Sequence, residues 1–325
     1  MINLQPTFRE PMSAIQIDEH GRLRHLLTLE NLGRAHIDAL LDRAAALRAT
    51  VRAGSALPPL LAGRTVVNLF FEPSTRTRTS FELAARRLGA LVVNFDIGSS
   101  STSKGESLED TLATLEAMDS DAFVVRHKEN GTPARLAAHA RRAAILNAGD
   151  GNHAHPTQGL LDLLTIRDRK GRIDGLKVAI CGDVKHSRVA RSDIHGLAAL
   201  DAAEIRLCGP AALLPAQEDV PGCRITSDFD AALDAADVVI MLRIQKERIE
   251  HLPGFDEAEY FARYGLTRAR LARARPDAVV MHPGPINRGI EIAPDVADGT
   301  QSVILDQVAN GIFVRMAVLA ELLQR

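Results

Sequence analysis

Apolar positions along the chain fall into two alternating rhythms. Short runs rich in Val, Ile, Leu and Phe occur at residues 66–71, 91–95, 122–126 and 144–147, and read as buried strands. Between them, at 79–88, 106–118 and 132–141, apolar residues recur at helical spacing. A further helical pattern follows His155 through Leu160, Leu161, Leu163, Leu164 and Ile166, and runs out in charged residues and Gly171. The rhythm then restarts. Strands are predicted at 178–181, 204–208, 238–242 and 278–281, with helices at 189–200 and 229–236. Strand and helix in strict alternation build parallel sheets covered by helices on both faces. Two flanking segments are also helical: 28–50, with Leu29, Leu32, Ile37, Leu40, Leu41, Ala44 and Leu47 on one stripe, and a long amphipathic helix at about 303–323. The pattern predicts an α/β protein of two doubly wound parallel-sheet domains, with the cleft between them as the natural ligand site.

Composition narrows the picture. A chain of 325 residues fits two domains. Hydrophobic residues make up 46% but aromatics only 4%, with no tryptophan, so the cores must pack aliphatic side chains. A net charge of -2 argues against general nucleic-acid binding and leaves local charge, at Arg76, Arg78, Lys104 and Arg126, as what matters. No apolar run is long enough for a membrane span. Residues 1–19 lack the basic start and apolar core of a signal peptide and read as a polar extension. The three cysteines, 181, 208 and 223, have no CxxC spacing. They read as buried free thiols rather than metal ligands, and an odd count suits a reducing cytoplasm.

The most informative stretch is the end of the first apolar run. Residues 65–71 stop at Pro73, and Ser74-Thr75-Arg76-Thr77-Arg78 follows as a helix begins. Hydroxyls and free backbone N–H groups at a helix start, flanked by two guanidiniums, suit a doubly charged oxyanion such as phosphate. The plainer reading is an ordinary cap with solvated arginines, and Thr79-x-x-Glu82 has the form of a capping box. Two arginines interleaved with three threonines favour the anion site.

That run resembles the phosphate-binding signature of the carbamoyltransferases. His155-Pro156-Thr157-Gln158 is similar to the second family motif. Arg243-Ile244-Gln245-Lys246-Glu247-Arg248 and His282-Pro283-Gly284-Pro285 resemble the aspartate branch rather than the ornithine branch. The motifs run in order from roughly His25 to the C-terminus. The resemblance implies an N-terminal extension at 1–24, a carbamoyl-phosphate-binding domain at 25–156 plus 308–325, and an aspartate-binding domain at 157–307. The last helix would return to the first domain.

The resemblance also implies roles. Ser74, Thr75, Arg76, Thr77 and Arg126 would bind the phosphate, with Arg126 at a strand's carboxyl end, where ligands sit in such sheets. Arg76, Thr77 and His155 would share the carbamoyl oxygen. Gln158 and the Gly284–Pro285 peptide, cis in the family, would take the carbamoyl amino group. His153, the second histidine of that loop, is expected to be a plain loop residue. Lys104, in the hydroxyl-rich loop 99–106, would reach a neighbouring subunit's site and contact both substrates, so a homotrimer is implied. Either Ser100 or Ser101 could accompany it. Arg188, Arg243 and Gln245 would hold the aspartate carboxylates, since a guanidinium fork matches a carboxylate. Glu247 and Arg248 read as solvated.

The implied reaction carries the carbamoyl group from carbamoyl phosphate to L-aspartate, an early step of de novo pyrimidine biosynthesis. It needs no metal and no organic cofactor. A regulatory chain or a dihydroorotase-like partner is a further possibility. The alternatives are an ornithine-type or other amine carbamoyltransferase, and a non-catalytic phosphate-binding assembly subunit. Gly284 and Asn287-Arg288-Gly289 depart from the common family pattern, which bears on affinity or regulation more than on reaction type. Kinase chemistry is disfavoured because no G-x-x-x-x-G-K-[ST] occurs.

Overall fold

The computed structural model describes residues 15–95, 105–244 and 256–324. Lys104, Ser100, Ser101, Gln245 and the run Lys246 to Arg248 therefore lie outside the described residues, as does most of the extension. The chain forms two compact units. One runs to Thr157 and resumes at Ile312; the other is Gln158–Gly311.

The first unit holds helix α1 (Arg34–Arg52), then β1 (Thr65–Phe70), α2 (Thr75–Arg87), β2 (Leu91–Asn94), α3 (Leu108–Ala117), β3 (Ala122–His127), α4 (Thr132–His139) and β4 (Ala144–Asp150). Its four strands are all parallel, in the order β2-β1-β3-β4. Between β1 and β3 the chain leaves in one direction for β2 and returns in the other. The carboxyl ends of these two strands flank the topological switch point, where open α/β sheets bind ligands. Val67, Leu69, Phe123, Val125 and Ile145 pack with Leu112 and Ala137 into one aliphatic core.

Strand β2 corrects one expectation. It was expected to be buried, yet Leu91 is 65% and Val93 38% exposed. Among the described residues it pairs on one side only, with β1.

The second unit begins within α5 (Pro156–Lys170). It continues through β5 (Lys177–Cys181), α6 (Arg188–Ala199), β6 (Glu204–Cys208), β7 (Arg224–Thr226), α7 (Phe229–Leu233), β8 (Val238–Met241), α8 (Glu257–Tyr264), α9 (Arg268–Leu271), β9 (Val279–Met281) and α10 (Pro294–Ala297). The sheet is again parallel, in the order β7-β6-β5-β8-β9, with its switch point between β5 and β8. Edge strand β7 and helices α8 and α9 carried too short a pattern to be read from sequence. The final helix, α11 (Ile304–Leu323), has two parts. Its first turns belong to the second unit, where Asn310 Nδ2 donates to Thr165 Oγ1 at 3.0 Å. Its last turns belong to the first unit, where Arg315 lies over the Phe81 ring and Arg43 pairs with Glu321 at 2.9 Å.

Candidate active site

Helix α2 starts at Thr75, four residues before the expected 79, so Thr75, Arg76 and Thr77 form its first turn. Thr79 therefore sits inside the helix, and the capping box does not form. Glu82 bonds Arg86 Nε and Asn94 Nδ2 instead, both at 2.9 Å. Ser74 is the cap residue in extended conformation, yet its side chain makes no capping bond. The first-turn N–H groups, orphaned in any helix, are not taken up by this serine. That is the arrangement an anion site requires. A cavity of about 360 Å3 opens here, walled by Phe70 through Thr75 and by Arg78.

Arg126 reaches the same turn from β3. Phe70 and Arg126 are register partners, and Phe71 N donates to Arg126 O at 2.8 Å. Arg126 is 9% exposed. Its Nη1 donates to Ala148 O at 3.3 Å and its Nη2 to Glu72 Oε1 at 2.7 Å. Glu72 was not singled out in the sequence, although it lies in the same motif. It holds the cation at the cavity wall. Phe71 packs edge-on against His127, with ring centroids 5.3 Å apart.

The loop that delivers His155 is built around Asp150 at the end of β4. This buried carboxylate accepts from Gly131 N (2.7 Å), Asn147 Nδ2 (2.8 Å), Ala154 N (3.1 Å) and His153 Nδ1 (3.0 Å). Burial pushes the Asp150 carboxyl up, but the bonds from His153, Asn147 and Gly131 outweigh it and hold the group below its ordinary value. His153 is thus a structural member of the loop. His155 itself is buried at 5% exposure, directly before α5.

In the second unit the switch point gathers a second set of cations. The loop after β5 runs Gly182-Asp183-Val184-Lys185-His186-Ser187 into α6, whose first residue is Arg188. Ser187 caps that helix through a bond from Ala190 N at 3.1 Å. Asp183 is fully buried and accepts from His186 Nδ1 at 2.9 Å. Leu242, the residue after β8, donates from its N to Cys181 O at 2.8 Å, which puts Arg243 beside the β5 loop. Gly182 makes this closeness possible. Its φ is +126°, and a Cβ there would lie 3.0 Å from Leu242 O.

Gln158 and the Gly284–Pro285 peptide, which is cis, belong to the same unit. Gln158 Nε2 donates to both oxygens of Asp162, at 3.2 and 3.3 Å. Its amide oxygen is thereby turned away from Asp162 and left to accept elsewhere. After β9, His282 Nδ1 accepts from Gly284 N at 2.8 Å, and His282 Nε2 donates to buried Glu291 at 3.1 Å. Glu291 also accepts from Asn287 N, and Asn287 Nδ2 donates to Ile244 O at 3.1 Å, next to Arg243. Asp162 stands four residues after Gln158 on one helix, a spacing that signals a contact. Glu291 and Glu72 left no such sign.

Of the remaining predicted residues, Thr77 is buried while Thr75 and Arg76 are exposed. No group of three or more His, Cys, Asp or Glu side chains suited to a metal occurs among the described residues. No helix among them is long and apolar enough to cross a membrane.

Comparison with known proteins gives a consistent answer. Residues 24–168 match the carbamoyl-P binding domain of aspartate/ornithine carbamoyltransferases, and residues 174–322 match the Asp/Orn binding domain of the same family. The aspartate carbamoyltransferase catalytic subunit of Xanthomonas campestris is 58% identical over 316 residues, covering 96% of this chain and all of the relative. That of Stenotrophomonas maltophilia is 57% identical over 318 residues, with the same coverage. Among solved structures, Trypanosoma cruzi aspartate transcarbamoylase in complex with N-(phosphonacetyl)-L-aspartic acid superposes with a TM-score of 0.85 at 34% identity, over 96% of this chain and all of the other. Ornithine carbamoyltransferase from Pyrococcus furiosus superposes with a TM-score of 0.84 at 28% identity, over 92% and 97%. With both halves of the chain matched and full-length relatives well above 30% identity, this protein belongs to the aspartate/ornithine carbamoyltransferase family.

Proposed function

We propose that the chain transfers the carbamoyl group of carbamoyl phosphate to the amino group of L-aspartate, releasing phosphate and N-carbamoyl-L-aspartate. The observation that carries the choice of acceptor is the pair Arg188 and Arg243 at the β5/β8 switch point. Two guanidiniums there suit a dicarboxylate and oppose the cationic side chain of ornithine. Relatives named for aspartate at 57–58% identity support the same choice.

The chemistry asks for alignment and charge stabilisation. The aspartate amine attacks the carbamoyl carbon, the carbonyl oxygen gathers negative charge, and the tetrahedral species collapses as the C–O bond to phosphate breaks. The departing phosphate can take the proton released by the amine. In this reading Ser74, Thr75, Arg76, Thr77 and Arg126 grip the phosphate at the start of α2. Arg76, Thr77 and His155 stabilise the developing oxyanion, each donor worth roughly 3–4 kcal/mol. Gln158 and the Gly284–Pro285 carbonyl accept from the carbamoyl NH2 group. Arg188, Arg243 and Gln245 hold aspartate, and Lys104 contacts both substrates. Holding the reactants in contact supplies up to roughly 7–11 kcal/mol of the barrier. No step calls for a metal or organic cofactor.

The first unit would then be the carbamoyl-phosphate domain and the second the aspartate domain. The working assembly is a homotrimer in which Lys104 serves a neighbour's site. Exposed Leu91 and Val93 on β2, with Leu83 on α2, support such a contact, because the segment carrying Lys104 follows β2 directly in the chain. A cytoplasmic setting fits the reading, as does a place early in pyrimidine synthesis. A regulatory or dihydroorotase-like partner is compatible with it. The test is calorimetric titration with N-(phosphonacetyl)-L-aspartate, which carries both anionic ends in one molecule. Binding far tighter than that of phosphate and of succinate separately supports one site for two substrates. Binding no tighter than that of phosphate alone contradicts it.

A further inference from the structure

Two buried carboxyl groups in the second unit have no place in the reaction as drawn. Asp162 on α5 and Asp193 on α6 are each 1% exposed. Asp162 is the node of a network. Its Oδ1 accepts from Gln307 Nε2 at 2.6 Å, and both its oxygens accept from Gln158 Nε2. The other end of Gln307, Oε1, accepts from His282 N at 3.0 Å, and the His282 ring holds Gly284 N. One carboxylate therefore ties together Gln158 and the Gly284–Pro285 segment, the two groups assigned to the carbamoyl amino group. Asp162 accepts from two amides, the role of a carboxylate.

Asp193 completes the node. Its buried carboxyl faces that of Asp162. Neither of its oxygens receives a bond from any N–H or O–H donor among the described residues. Two carboxyl oxygens can bond only through a proton, and a second buried negative charge here would be unsupported. Asp193 is the protonated member, and burial together with the Asp162 charge raises its carboxyl well above the ordinary range.

We propose that Asp162 and Asp193 form a carboxylate–carboxylic acid pair that positions both acceptors of the carbamoyl amino group. Asp162 orients the Gln158 amide and, through Gln307 and His282, the Gly284–Pro285 turn. Asp193 donates the proton that holds Asp162 in place. Neither touches substrate; both are positioning residues. The inference rests on the carbamoyl-transfer reading for its kinetic consequence but not for the protonation itself.

The test uses the full-length protein with D193N, D193L and D162N. Asparagine still donates to Asp162, so D193N is expected to keep most of the wild-type kcat/KM for carbamoyl phosphate. Leucine branches at the same carbon but is larger and has no donor. D193L is expected to lose about tenfold in that constant, the usual worth of a hydrogen bond to a charged group. Its effect on the KM for aspartate should be smaller. Its melting temperature should fall below that of D193N, because removing one member of a buried pair leaves the Asp162 charge without that donor. The smaller effect on aspartate and the rescue by D193N separate positioning from folding, and D193A replaces D193L should the latter not fold. D162N keeps one oxygen for the two amides but sets an NH2 group against Gln158 Nε2 in place of Oδ2, and should lose more than D193L. Infrared difference spectra of wild type against D193N should show the C=O stretch of a protonated carboxylic acid. Wild-type kinetics in D193L, or no such band, overturns the pair. A wild-type protein with the band but no carbamoyl transfer overturns the functional reading alone.

Discussion

Replacing Arg126 with alanine is the sharpest single perturbation of the phosphate site. Arg126 is nine-tenths buried and its guanidinium donates to the Glu72 carboxylate, two residues before Ser74, at 2.7 Å. At an effective dielectric of about 20, unit charges about 4 Å apart attract by about 4 kcal/mol. A phosphate carrying up to two charges gains at least that from Arg126. Removing the cation also leaves Glu72 facing the phosphate without its counterion. Water filling the space recovers part of the loss. A net loss of about 3 kcal/mol remains, which is roughly a hundredfold in kcat/KM for carbamoyl phosphate. R126K keeps the charge but not the fork that serves Ala148 O and Glu72 together, and should fall about tenfold. The assay is steady-state formation of ureido product at saturating aspartate, with carbamoyl phosphate varied. An R126A enzyme within about threefold of wild type refutes the placement of the phosphate.

Two further outcomes follow from the loops behind the site. Asp150 has a folded-state carboxyl held below its ordinary value of 3.8, so its stabilisation is complete above that value and is lost as pH falls through the lower folded value. D150N should lose about 2 kcal/mol at neutral pH and show a flatter acid limb in thermal melts, whereas an acid limb parallel to wild type would exclude Asp150 as its source. At Gly182, alanine would adopt a φ of +126° with its Cβ 3.0 Å from Leu242 O. G182A should lower the urea midpoint by the equivalent of about 1–3 kcal/mol at unchanged slope, and an unchanged midpoint would mean the β5 loop is not held where Gly182 puts it.

Much of this architecture is legible in the order of residues, and the exceptions have physical causes. Long runs such as 122–126 and 178–181 announce buried parallel strands because both faces of the sheet are covered. Strand β2 carries the same apolar run yet lies at an exposed edge, since a run of valines does not say what covers it. The start of α2 was misjudged because Thr79 and Glu82 have cap chemistry, whereas Ser74 follows Pro73 and begins the helix earlier. The arginines proposed to bind phosphate and aspartate stand out because their residue type and motif point to that chemistry. Partners far apart in sequence do not: Glu72 with Arg126 and Asp162 with Gln307 meet only once the chain has folded. Asp193 is the extreme case, a polar residue in a helix whose meaning depends entirely on the neighbour that α5 brings to it.

The central claim is that this chain carbamoylates aspartate. Purified protein incubated with carbamoyl phosphate, and with aspartate or ornithine in parallel, should form ureido product and phosphate in equal amounts with aspartate and none with ornithine. Product with ornithine, or none with either acceptor from a folded protein, would contradict the account.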